Sequence, residues 1–176
     1  MLKQITRVVA ALAITAAATV TTAGQAVARS EPTGTFCYQA HVQNIGWQDW
    51  RCDGEWAGTT GRALAVEAVR FHVQPGSSIR FCARAHRANY GWDDRQVCVN
   101  GSHTTDQIGI DGVNVAMEAI MFAGSPTLNA DAHISNDGWQ GGAAYVGASE
   151  YNTLPNYMIG TTGRGLPIEA FWFQVA

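Results

Sequence analysis

Three histidines, three tryptophans and three glutamates recur at fixed spacing, and they are the residues best equipped for chemistry or recognition. His41 and Trp47 stand in Ala40-His41-Val42-Gln43-Asn44-Ile45-Gly46-Trp47. The phrase returns as Ala85-His86-Arg87-Ala88-Asn89-Tyr90-Gly91-Trp92 and as Ala132-His133-Ile134-Ser135-Asn136-Asp137-Gly138-Trp139. The shared pattern is A-H-x-x-N-x-G-W, with starts 45 and 47 residues apart. A second phrase follows each: Gly58 to Gly61 then Glu67, Gly109 to Gly112 then Glu118, Gly160 to Gly163 then Glu169. An imidazole can ligate a metal or move a proton. An indole can stack on a sugar ring or meet a buried acceptor through its N–H. Recurrence weighs on these choices: a feature present three times is a scaffold element, or one of three equivalent sites, before it is a lone catalytic centre.

Each residue type keeps two readings. Trp47, Trp92 and Trp139 pack their repeats with the indole N–H on a buried acceptor, or they form sugar-stacking platforms. His41, His86 and His133 are hydrogen-bonded structural histidines, or ligand contacts in three equivalent sites, or imidazoles converging on an axis to hold a metal. Asn44, Asn89 and Asn136 are turn residues whose amides can also read sugar hydroxyls. These nine are the ligand-binding candidates. Glu67, Glu118 and Glu169 fall on strand faces with apolar neighbours. A buried carboxylate needs partners, so a structural role is expected, accepting from the G-x-x-G backbone or from the Trp indole. No catalytic residue and no resident metal or cofactor is assigned.

The elements that position these groups are strands. Phe36, Tyr38, Ala40 and Val42 alternate with Cys37, Gln39, His41 and Gln43. Ile79, Phe81, Ala83 and Ala85 alternate in the same way with Arg80, Cys82, Arg84 and His86. Period two puts the histidines on the polar face. Glu67, Val69, Phe71 and Val73 share a face of a second strand, as do Glu169, Phe171, Phe173 and Val175, and a shorter strand lies between. No helical periodicity follows residue 28. The Pro75-Gly76 turn is expected to join Val66–Val73 to Ile79–Ala88 as a hairpin. Three repeats, about 36–74, 79–123 and 127–176, give an all-β, closed pseudo-threefold domain, β-prism-like or alternatively a β-trefoil.

Residues 1–28 read as a secretory signal peptide. Lys3 and Arg7 precede an uncharged apolar run from Val8 to Ala23, and Ala26-Val27-Ala28 has the A-x-A form. The run is shorter than the roughly 20 residues needed to span a bilayer, so no membrane span is expected. Residues 29–35 form a polar, disordered lead-in. Losing Lys3 and Arg7 leaves 9 basic against 14 acidic residues, a net −5. Without a basic patch to neutralise phosphates, no nucleic acid partner is expected.

Cys37, Cys52, Cys82 and Cys98 make an even count, as in secreted disulfide-bonded chains. Cys37 and Cys82 each precede their His by four, and Cys52 and Cys98 follow their Trp by five and six. The third repeat has Asn129 and Tyr145 at the matching places, so both cysteines are absent together. Joint absence predicts Cys37–Cys52 and Cys82–Cys98. A zinc site is the rival, without C-x-x-C spacing to support it.

Enzymatic motifs are missing: there is no G-x-S-x-G, H-E-x-x-H or Walker loop. The unrepeated His72, His103, Asp106 and Asp111 form no nucleophile–base spacing. The repeats diverge most between Trp and Gly, at 11, 17 and 21 residues, and such insertions map to one face, often the binding face. In the third repeat that stretch carries Tyr151 and Tyr157.

Tyr38-x-Ala40-His41-Val42-Gln43-Asn44-Ile45-Gly46-Trp47, Asp53-Gly54-Glu55, Gly58-Thr59-Thr60-Gly61 and Glu67-Ala68 closely resemble the ChW family, the clostridial hydrophobic repeat with a characteristic tryptophan. The likeness is sharp in the first repeat, good in the third and weaker in the second, where Gly109-Ile110-Asp111-Gly112 replaces G-T-T-G. It implies a secreted or cell-surface module of Gram-positive bacteria that binds polysaccharide or takes part in adhesion, and it transfers no catalytic residue. The cysteines are additions to that pattern. The expected function is a secreted, non-enzymatic module for cell-wall or extracellular polysaccharide; the alternative is a structural or adhesion protein that binds another protein.

Overall fold

The computed structural model describes residues 31–145 and 157–176. The expected signal peptide and Tyr151 lie outside them. The described residues form strands and no helix. The first copy supplies β1 (Phe36–Val42), β2 (Gly46–Trp47), β3 (Arg51–Cys52), β4 (Ala57–Gly58) and β5 (Val66–Val73). The second supplies β6 (Arg80–Arg87), β7 (Gly91–Trp92), β8 (Val97–Asn100), β9 (Thr105–Gly109) and β10 (Met117–Ser125). The third supplies β11 (Leu128–Ile134), β12 (Gly138–Trp139), β13 (Ala143–Tyr145), β14 (Tyr157–Gly160) and β15 (Ile168–Val175).

These strands build three antiparallel sheets of five strands each. In the first, β1 pairs with β2, β3 and β5. The fifth strand, β9 on β5, belongs to the next copy. The second sheet repeats the plan, with β14 on β10. The third closes the pattern: β4 of the first copy pairs with β15. Each sheet thus borrows a strand from the following copy in cyclic order. This corrects the expected hairpin through Pro75-Gly76, because β5 pairs with β1 and β9, and β6 with β7, β8 and β10. The turn carries the chain from one sheet to another.

The alternation places one apolar row of each long strand inward. Phe36, Tyr38, Ala40, Val42, Phe71, Phe81, Phe122, Ile134 and Phe173 are fully buried, and the inward rows of all three sheets meet in one core. Phe173 lies at its centre, with ring centroids 5.1–6.2 Å from those of Phe36, Tyr38, Phe71, Phe81, Phe122 and Phe171. The Tyr38 hydroxyl ties the first copy to the third, lying 3.0 Å from the Phe173 carbonyl and 2.5 Å from that of Glu55. Burial holds this phenol well above its ordinary pKa, so it stays a neutral donor.

Residues 31–35 carry no strand, and Gln74 N–H donates to the Thr35 carbonyl at 2.9 Å. The disulfides Cys37–Cys52 and Cys82–Cys98 are formed, each between directly opposed residues of neighbouring strands. In the third copy Asn129 opposes Ala144, and Tyr145 opposes Leu128. The place of the second cysteine is therefore taken by Ala144 and not by Tyr145. Cys37→Ala with Cys52→Ala is expected to lower unfolding stability by about 3 kcal/mol, the loop-closure value for a bridge spanning 15 residues. Denaturant titration checks this, and a loss well under 1 kcal/mol would remove the disulfide from the stabilising features.

Candidate functional site

A bulge builds the site in each copy. His41 opposes Ala68, but Val42 opposes Val66, so Glu67 is the extra residue in β5. The same shift places Glu118 beside His86 and Glu169 beside His133. A bulge bends the strand and re-aims a side chain. Here it turns each glutamate off the apolar row and toward the histidine of the polar face. That corrects the reading that Glu67 shares a face with Val69 and Phe71. The sequence did carry a signal. Val66 and Val69, Met117 and Ile120, and Ile168 and Phe171 all point inward although three residues apart, which breaks period two.

The resulting His–Glu contacts are nearly identical. Nδ1 to Oε2 is 2.9 Å for His41–Glu67, 3.0 Å for His86–Glu118 and 3.1 Å for His133–Glu169. The carboxylates are buried, and these are close imidazole–carboxylate contacts without hydrogen-bond geometry at Nδ1. Glu67 also accepts from Gly112 N–H at 3.1 Å. The G-x-x-G turn does meet the glutamate, but it comes from the next copy. The imidazoles do not converge on an axis. Each stays on its own sheet with its own glutamate, and among the described residues no group of His, Cys, Asp or Glu is placed to hold a metal.

Each imidazole meets its tryptophan edge to face, with centroids 5.3, 5.1 and 5.5 Å apart. Two-residue strands position the indoles, and the turns before them use left-handed Asn44, Asn89 and Asn136 (φ 61°, 67° and 65°). Asn tolerates that conformation. The tryptophans are not core residues: Trp47 and Trp92 are half-buried and Trp139 is exposed. The Trp47 indole N–H donates to Asp111 Oδ2 at 3.2 Å, an exposed acceptor in place of the buried one expected. The Gln107 amide, with this indole, holds the Asp111 carboxyl below the usual carboxylate range.

The residue after the tryptophan has a role that the motif did not reveal. Gln48 accepts from Gly58 N–H at 2.8 Å and donates to the Gly58 carbonyl at 3.1 Å. Gln140 does the same to Gly160, at 2.8 and 3.2 Å. These amides mimic a neighbouring strand and hold the lent strand in place. In the second copy Asp93 follows the tryptophan and takes Arg87 Nε at 2.5 Å.

The other unrepeated polar residues lie outside this frame. Asp106 pairs with Arg95 at 2.7 Å and lies 3.4 Å from His103, and His72 meets the Thr105 hydroxyl at 2.9 Å. Burial lowers the His72 pKa.

The frame recurs, but the outer surface does not. The Arg70 guanidinium lies 3.9 Å from the Trp47 ring centroid, and Arg84 lies 5.4 Å from that of Trp92. Trp139 opens instead onto a groove of about 470 Å³ lined by Gly54, Trp56, Thr60, Asp131 and Trp172. Trp56 is exposed and also borders a second cleft of about 360 Å³ with Gln48, Arg51, Glu55 and Gly58. Three indoles therefore face one groove between the third copy and the first.

The family described as Clostridial hydrophobic W matches residues 41–75 and 133–176. No curated protein and no solved structure matches the chain. Among the described residues no helix is long and apolar enough to cross a membrane.

Proposed function

We propose that this chain is a secreted, non-enzymatic module that binds cell-wall or extracellular carbohydrate. In this reading three diverged ChW copies form the faces of a β-prism, the unmatched middle segment being the second copy. The observation that carries the reading is the groove of Trp139, Trp56 and Trp172. Open, flat indoles beside polar groups suit the apolar face and hydroxyl rim of a pyranose, and a concave cleft of a few hundred Å³ is the usual size of a ligand site. The two clefts sharing Trp56 suit several units of a polymer. The signal-like start and the two disulfides support an oxidising, extracytoplasmic location. The His–Glu pairs recur in all three copies, which supports a frame and not a reaction centre.

The test is a glycan array with residues 29–176, followed by affinity measurements on its best hit. Trp139→Ala and Trp56→Ala are each expected to weaken binding about tenfold, the effect of losing roughly 1.4 kcal/mol of stacking. Trp92→Ala, in the copy whose ring lies beside Arg84, is expected to change it less than twofold. An array without a polysaccharide or peptidoglycan hit would overturn the carbohydrate reading in favour of a protein partner.

A further inference from the structure

The three copies differ at one pair of facing positions on the polar face of the sheet, and the difference concerns charge. Gln39 faces Arg70 in the first copy, Arg84 faces Met121 in the second, and Asp131 faces Trp172 in the third. In the first two copies one of the pair is an arginine, and its guanidinium lies over that copy's tryptophan. The third copy has a carboxylate where the second has its arginine, and an indole where the first has its own. Trp139 keeps the histidine contact and has no cation over its ring among the described residues.

The carboxylate also has no counter-charge among the described residues. Asp131 is 6% exposed. Oδ1 accepts from Ala132 and Gln140 N–H at 2.8 and 3.1 Å, and Oδ2 accepts from Gly141 N–H at 3.2 Å. No basic side chain pairs with it among the described residues. Its hydrogen-bond partners are backbone amides, which satisfy the oxygens without supplying a cation. Around it stand Trp139, Trp172 and Trp56. Gly142 Cα lies against this group, since a Cβ there would sit in ordinary contact with Trp172 at 3.4 Å and Asp131 Oδ2 at 3.8 Å. Indole faces beside a carboxylate are the chemistry that recognises an ammonium or guanidinium group.

We infer that the third-copy groove binds a cationic amine carried on a sugar, a free amino-sugar unit whose ammonium takes the place that arginine holds in the other two copies. This rests on the carbohydrate reading. The cation is drawn to Asp131 and the indoles, and the adjoining cleft across Trp56 receives neighbouring units of the chain.

The test compares a chitosan oligosaccharide, its fully N-acetylated counterpart and an arginine amide, titrated into residues 29–176 at a pH where the sugar amine is charged. The free-amine oligosaccharide is expected to bind at least about tenfold tighter than the N-acetylated one, with an affinity that falls as salt rises. Asp131→Asn is expected to abolish that preference. Trp172→Arg, which recreates the first copy's arrangement, is expected to block the free-amine ligand while the thermal transition persists. Equal or tighter binding of the N-acetylated oligosaccharide would overturn the amine preference and leave the carbohydrate reading standing. Binding of the arginine amide alone, or of none of the three, would overturn the inference, and the glycan array would then decide the carbohydrate reading. Retained amine binding in Trp172→Arg would also overturn the inference.

Discussion

Gly58→Ala is expected to cost about 2–6 kcal/mol, combining roughly 1–3 kcal/mol for a disfavoured backbone region with about 1–3 for steric insertion. Gly58 has φ +109°, and a Cβ there would meet the Glu169 carbonyl oxygen at 2.3 Å and Ala170 Cα at 2.6 Å. Both are backbone atoms of the strand on which β4 lies, so no side chain can swing away. Gly109 and Gly160 make the same approach, each at 2.3 Å, to the carbonyls of Glu67 and Glu118. Domains are stable by about 5–15 kcal/mol, so the variant should lose a large fraction of its stability. The second glycine of the same motif supplies the contrast. Gly61 has φ +67° and open space around it, so Gly61→Ala should cost about 1 kcal/mol from conformation alone. Urea titration of the pair is decisive, and equal losses would remove the close strand approach as the reason for the first glycine.

Phe173→Ala should cost about 3–5 kcal/mol, the range for emptying a fully buried aromatic site. The ring touches aromatic rings of all three copies, so the cavity cannot close by a shift within one sheet. Edge-to-face pairs add roughly 0.5–1.5 kcal/mol beyond area burial. The denaturant slope should stay constant, since the unfolded chain exposes almost the same surface. A loss below about 2 kcal/mol would indicate that the sheets can repack around the vacancy.

The strand faces, the disulfide pairing and the polar placement of His41, His86 and His133 were legible in the sequence because they depend on period two and on the differences between copies. The reach of G-x-x-G was not. Gly109 lies 42 residues beyond Glu67, and only the cyclic exchange of strands brings them together. The bulge was half legible: the inward pair Val66 and Val69 marks it, but an intervening Glu reads equally well as a buried partner of the apolar row. The groove was not readable at all. Trp139 sits in a recurrent motif and Trp56 in a linker, and their common cleft exists because Ala57–Gly58 crosses to the last sheet.

The cyclic loan of strands also sets an order of events. Gly58 pairs with Ala170, more than one hundred residues later. A ribosome adding about 5–20 residues per second needs roughly 5–20 s to make that stretch. For all of that time β4 has no sheet to join, because β15, its destination, is not yet made. Pairings so distant in sequence form slowly. The first copy therefore waits with an unpaired edge open to other nascent chains until β15 pairs with it.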